Sequence, residues 1–242
     1  MYPEICTIGP FTIYSYGIML VIAFLVSVSL ACKKAASLNI NPDKIFNLAF
    51  FSFLSGVVGA RIFYVVENLG YYAKNPAEII KLQHGGLSWF GGLALGALFA
   101  FLYAKKNKLG AYKVLDLLAP FIALAQAIGR IGCLLNGCCY GKESSFGIYF
   151  PVHNRILIPT QLYSALLLLA IFIFLRYLQE KPRREGEIVF TYLLLYSLNR
   201  FFIEFWRADN PQVFMHLTLF QIISLILFCV ALAKLIVIKL SS

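Results

Sequence analysis

Along this chain apolar residues come in long blocks separated by short polar gaps. Seven blocks stand out, near 11–31, 45–66, 87–104, 114–134, 159–178, 187–206 and 217–238. They approach or exceed the roughly 18–20 residues that cross a bilayer as a helix. The pattern predicts an all-α integral membrane protein with seven transmembrane helices. The polar gaps at 67–86 and 135–158 are the longest, and are rich in Gly, Pro, Asn and Tyr. They are expected to form a small cap on the outer face. No linker, low-complexity stretch or clear repeat interrupts the pattern, so residues 1–242 are expected to form a single domain.

Composition agrees. Sixty per cent of the residues are hydrophobic and 13% are charged. A soluble domain is nearer half apolar and a quarter charged. The first residues lack the positive start and small-residue cleavage pattern of a secretory signal, so the first span is expected to stay in the protein.

The net charge of +10 would suit a nucleic-acid binder, but its placement does not. Lys33, Lys34 and Lys44 lie in the first gap, and Lys105, Lys106, Lys108 and Lys113 in the third. Arg176, Lys181, Arg183 and Arg184 lie in the fifth, and Lys234 and Lys239 at the tail. These thirteen of 21 basic residues fall on one side of a seven-span topology. Positive loops mark the cytoplasmic side. The N-terminus is then outside, the C-terminus is cytoplasmic, and no nucleic-acid partner is expected.

Arg61, Arg130, Arg200 and Arg207 lie within or at the outer ends of the blocks. An arginine at mid-bilayer costs about 2.5–3.5 kcal/mol on an insertion scale, so such a residue usually faces a wet or paired interior. In "YSLNRFFIEFWRADN", Tyr196, Arg200, Glu204 and Arg207 stand at i, i+4, i+8 and i+11. On a helix they share a face, with Glu204 able to pair with both arginines. The plain alternative is a buried triad that only fixes packing. Two guanidinium groups around one carboxylate nevertheless leave positive charge over, and a phosphate suits their fork-shaped donors. Arg130 lies at a similar outer depth in "GRIGCLLNGCCYG", where Gly129 and Gly132 flank it and Asn136-Gly137 signals a turn.

Cys133, Cys138 and Cys139 share that stretch. Zinc sites usually match one ligand pair with a second, and no second pair exists, so no metal is expected. A disulfide from Cys133 to either neighbour and free packing thiols both remain open. Cys6, Cys32 and Cys229 read as packing residues. Gly91, Gly92 and Gly96 permit close helix contact. The glycine-rich helix start could also face an anionic headgroup, with His84 before it as a base or a phosphate contact. Asp116 reads as an orientation or capping residue.

Together these stretches resemble the prolipoprotein diacylglyceryl transferase family, in matching order. The segments are "YSYGIM" at Tyr14–Met19, "GARIFYV" at Gly59–Val65, "GGLSWFGG" at Gly85–Gly92, "GRIGCLLNGCCYG" around Arg130, "PTQLYSALL" at Pro159–Leu167 and "YSLNRFFIEFWR" through Arg207. The resemblance implies that the diacylglyceryl group of phosphatidylglycerol moves to the lipobox cysteine of a preprotein, forming a thioether and releasing glycerol phosphate. It implies Arg130, Arg200 and Glu204 as catalytic residues. Arg207, Tyr196, Tyr16, Asn136, Gly141, Gly91, Gly92 and His84 would form the substrate-binding set. No cofactor is implied, and the setting is the bacterial cytoplasmic membrane. Two departures stand out. The family's third motif often carries a histidine where this chain has Phe90. Its signature often reads G-R-x-G-N-F-x-N-G-E, where this chain has Cys133 and Cys138 for the first asparagine and the glutamate. Two other functions fit the residues: a lipid or anion carrier using the same arginines, and a membrane thiol oxidoreductase built on the three cysteines.

Overall fold

The structure is a computed structural model, and it describes residues 1–9, 11–81 and 85–240. Seven long helices coincide with the seven apolar blocks. They are α1 (Ser15–Ser37), α2 (Pro42–Glu67), α4 (Trp89–Lys106), α5 (Ala111–Asn136), α6 (Thr160–Gln179), α7 (Glu187–Glu204) and α8 (Leu219–Leu240). The short α3 (Leu69–Tyr72) follows α2. Five of the helices, α1, α2, α5, α6 and α8, are long and apolar enough to cross a membrane. The other two are less apolar for visible reasons. The eighteen residues of α4 end on Lys105 and Lys106, and α7 carries Glu187, Arg200 and Glu204.

Helix is not the whole of the fold. Three two-stranded antiparallel hairpins join β1 (Glu4–Ile8) to β2 (Phe11–Tyr14), β3 (Glu143–Phe150) to β4 (Arg155–Leu157), and β5 (Gln212–Phe214) to β6 (Leu217–Thr218). Residues 11–14, expected to open the first span, are therefore strand. The alternation of Phe11, Thr12, Ile13 and Tyr14 suits a strand, and β1 pairs with them along one edge.

The chain divides into two compact units. One holds Ala31–Ala111. Within it α2 and α4 approach through glycines. A Cβ on Gly59 would stand 2.5 Å from the Gly91 carbonyl oxygen and 2.7 Å from Leu95 Cβ, and one on Gly91 would meet the Gly59 oxygen at 2.4 Å. Small residues let the two backbones touch, as membrane helices require when no hydrophobic force drives them together. Arg61, buried in α2, donates to five backbone carbonyls, those of Glu78, Ile79, Lys81, Gly85 and Gly86. Its guanidinium also lies over the Tyr72 ring at 5.3 Å. A residue read from sequence as a candidate functional charge is here the tie that holds an irregular connection.

The other unit holds residues 1–30 and the chain from Tyr112 onward. Ala119, Ala123, Ile171, Leu175, Ile188, Val189 and Tyr192 form a core shared by α5, α6 and α7. Pro120 lies inside α5 and has no N–H for the carbonyl of Asp116, four residues back. Gln179, on α6, fills that gap by donating from Nε2 to the Asp116 oxygen at 2.7 Å and to the Leu117 oxygen at 3.1 Å. The Asp116 carboxylate in turn accepts from the backbone N–H of Gly186 at 2.6 Å and of Val189 at 2.8 Å. A residue from another helix thus caps the start of α7, where orphan donors and the positive dipole end favour an anion. The capping role read from sequence for Asp116 is what the fold shows. Asp116→Ala should cost about 1–2 kcal/mol, the usual loss for a helix cap. A lowered unfolding midpoint of the detergent-solubilised protein would show it, and an unchanged midpoint would contradict the capping role.

Candidate functional site

Both ends of the signature stretch are set by backbone chemistry. The last turn of α5 closes with the Gly137 N–H on the Leu134 oxygen at 3.2 Å and the Cys138 N–H on the Cys133 oxygen at 3.1 Å. Gly137 takes a left-handed φ of 75°. This is a Schellman ending, and it places the third residue from the helix end beside the second residue past the cap. Those two residues are Cys133 and Cys138. Cys139 follows with φ 62°, a conformation that costs a non-glycine residue about 1–2 kcal/mol.

Neighbours hold that turn in place. Gln161 Nε2 donates to the Cys138 oxygen and Thr160 Oγ1 to the Cys139 oxygen, both at 2.7 Å. His153 Nε2 lies 2.8 Å from the Gly137 oxygen, and the Tyr2 N–H donates to the Leu135 oxygen at 3.1 Å. The three cysteine sulfurs consequently all lie within 4.8 Å of one another. Hydrogen bonds from the Cys133 and Cys138 thiols hold the Cys139 thiol below its ordinary range. Burial opposes this, and the positive charges of Arg207 and Arg130 reinforce it.

The predicted pairing on α7 is present. Glu204, with its side chain fully buried, lies 3.1 Å from Arg200 and 3.9 Å from Arg207. One correction is needed. Helix α7 ends at Glu204, so Arg207 is not on its face but in the turn beyond. Three residues after the glutamate it still reaches the same carboxylate. Gly141 pairs with Arg207 in an isolated antiparallel bridge, with the Lys142 N–H on the Trp206 oxygen at 2.8 Å. A Cβ at Gly141 would come within 2.7 Å of Ile158 Cβ and 2.8 Å of the Ile158 oxygen. Only glycine fits there, so Gly141 joins the signature loop to the end of α7.

Sequence reasoning missed several partners. Arg207 donates to both oxygens of Asp209, at 2.8 and 2.6 Å. Burial opposes its charge, but the Asp209 hydrogen bonds prevail and hold the guanidinium above its ordinary range. Asn210 donates to Glu204 Oε1, and Thr218 Oγ1 does so at 3.0 Å. The Arg200 guanidinium lies over the Phe220 ring at 4.5 Å. The nearness of Asp209 to Arg207 was readable as "RADN". Thr218 and Phe220 come from a distant part of the chain and left no local signal.

Charge in this cluster does not close. Arg130 and Arg207 both act electrostatically on Arg200. Arg200 and Arg207 meet Glu204, Arg207 also meets Asp209, and Arg130 adds a third positive charge to their field. Arg200 Nη1 is buried without a hydrogen-bond acceptor, and Glu204 Oε2 meets its ion pair without an aligned hydrogen bond. A buried unpaired guanidinium donor is costly in a protein that leaves it so. An anion would complete it. Beside the cluster lies a cavity of about 510 Å³ lined by Lys142, Glu204, Arg207, Asn210, His216 and Gln221 among others.

The remaining predicted residues are placed as follows. Tyr16 opens α1 beside Gly132, whose added Cβ would stand 3.3 Å from its ring. Asn136 is the last residue of α5. Tyr196 lies one turn before Arg200, its ring 5.8 Å from that of Tyr192. Gly91 and Gly92 belong to the other unit, where their close contacts are with Gly59 and Gly56 of α2. His84 lies outside the described residues.

Removing the buried carboxylate strands two arginines. Glu204→Ala should lower stability by about 3–5 kcal/mol, the usual result of breaking a buried pair. Chemical denaturation in detergent would measure it, and a loss below about 1 kcal/mol would contradict a central role for this contact.

Residues 3–237 match the family model described as prolipoprotein diacylglyceryl transferase. The chain is similar to phosphatidylglycerol–prolipoprotein diacylglyceryl transferase 2 of Clostridium perfringens, 37% identical over 204 residues, covering 81% of this chain and 80% of that protein. It is 34% identical over 232 residues to the enzyme of that name from Clostridium tetani, covering 93% of each. The Fervidobacterium nodosum enzyme is 37% identical over 232 residues, covering 91% of this chain and 79% of that protein.

Proposed function

Because the chain belongs to the prolipoprotein diacylglyceryl transferase family, we propose that it moves the diacylglyceryl group of phosphatidylglycerol onto the lipobox cysteine of a preprotein. The observation that carries this reading is the buried, acceptor-less Nη1 of Arg200 in a cluster with excess positive charge. The acceptor sulfur attacks the glyceryl carbon as a thiolate, and the carbon–oxygen bond to phosphate breaks. A thioether forms, and glycerol phosphate leaves with the electron pair. One further negative charge develops on the phosphate during the step. Fixed donors aimed at developing charge are the largest source of stabilisation available to such a site.

Each residue has a role in that step. Arg200 meets the phosphate with its unpaired donor, and Arg130 adds charge from the end of α5. Glu204 orients Arg200 and is itself held by Thr218 and Asn210. Arg207, fixed by Asp209, holds the headgroup, with Tyr16, Tyr196, Asn136 and Gly141 on the same substrate-binding side. Gly91, Gly92 and His84 are carried over as substrate-binding candidates from the sequence reading and the family resemblance. Phe90 occupies the position where the family often has histidine. The positive field of the arginines, which favours a thiolate, takes over part of the activation of the acceptor.

We further infer seven spans with the N-terminus outside and the C-terminus cytoplasmic, in the bacterial cytoplasmic membrane. The lysine and arginine distribution supports this orientation. The family match runs through both compact units, which supports one functional domain. The carrier and oxidoreductase readings are less well supported, because the relatives' names describe a transferase.

Purified protein given phosphatidylglycerol and a lipobox peptide should yield a diacylglyceryl adduct on the peptide cysteine by mass spectrometry. Arg130→Ala and Arg200→Ala should each reduce turnover by at least about 100-fold, the scale of losing one oxyanion-type donor. No adduct from folded wild-type protein would contradict the transferase reading, and wild-type turnover in either variant would contradict the assigned roles.

A further inference from the structure

The cysteine cluster is not used by the transfer described above. Spacing along the chain argued against a metal, because no second ligand pair follows. The fold changes that argument by closing three sulfurs into one group. Two independent backbone features produce it. The Schellman ending brings Cys133 to Cys138, and the left-handed turn at Cys139 adds the third sulfur.

The carbonyls of all three cysteines are satisfied, by the Cys138 N–H, Gln161 and Thr160 respectively. The backbone is therefore fixed, and the Cys138 thiol also donates to the Cys133 oxygen at 3.7 Å, a weak bond that a metal would replace. All three are partly buried, and none forms a disulfide. No histidine or carboxylate among the described residues joins them, so the ligand set is sulfur only.

We propose that Cys133, Cys138 and Cys139 form a three-thiolate site for one soft d10 metal ion, of the Cu+ or Zn2+ class. Thiolate ligands select such ions, and a three-sulfur set leaves zinc an open fourth position for water. The electrostatics suit it from both directions. The C-terminus of α5 presents negative dipole to a cation. Three thiolates around a mono- or divalent ion leave net negative charge, and the positive charges of Arg207 and Arg130 act on this cluster. A bound ion would tie the end of α5 to the loop that Gly141 carries to Arg207. The inference does not depend on the transferase reading.

The test uses the full-length reduced protein in detergent, stripped of metal and titrated separately with Zn2+ and Cu+ against a competing chelator. One equivalent of at least one of these ions should bind per chain. Binding should protect the three cysteines from alkylation while the exposed Cys6, outside the long helices, remains reactive. Stoichiometric binding should be lost in Cys133→Ser, Cys138→Ser and Cys139→Ser and kept in a Cys6→Ser/Cys229→Ser control. The wild-type protection pattern keeps the test valid if a serine variant fails to fold. Failure of both ions to bind, binding that survives the three substitutions, or a disulfide within the cluster in unreduced protein would each overturn the proposal. Lipid transfer plays no part in these readouts, so the two claims fail separately.

Discussion

One buried carboxylate organises the polar cluster at the end of α7. Glu204 is fully withdrawn from solvent and is met by Arg200, Arg207, Thr218 and Asn210. In a low-dielectric interior such a group is tolerable only with partners. It gathers the end of α7, the turn that follows and the hairpin before α8 around itself. The signature loop joins the same assembly through the bridge between Gly141 and Arg207. Yet the cluster is not neutral, and one donor of Arg200 is left without an acceptor. That unmet donor is the observation on which the proposed phosphate contact rests.

Much of this was legible in the sequence, because the physics of a bilayer writes itself into length and composition. Seven apolar blocks became seven long helices. The 3.6-residue period placed Arg200 and Glu204 in contact, and Asn136-Gly137 marked the end of α5. Asp116 was correctly read as a cap. Those features depend on residues close in sequence, where periodicity and turn chemistry act directly.

What stayed hidden depends on contacts between distant segments. Arg61 looked like the other arginines in the apolar blocks, but five backbone carbonyls from the following connection surround it. Arg207 was placed on a helical face that ends three residues before it. The pairing of Gln179 with the carbonyl freed by Pro120 joins residues about sixty apart. The cysteines were judged by linear spacing, whereas their grouping follows from the Schellman ending and the left-handed Cys139. The hairpin of β1 and β2 escaped notice because residues 11–14 continue the apolar block of the first span.

We propose that the unpaired donor of Arg200 meets a phosphate. The most direct measurement is the binding of short-chain phosphatidylglycerol and short-chain phosphatidylcholine to wild-type and Arg200→Ala protein by native mass spectrometry. Wild-type protein should prefer phosphatidylglycerol, and Arg200→Ala should lose this preference while retaining its fold. An equal preference in folded Arg200→Ala would contradict it.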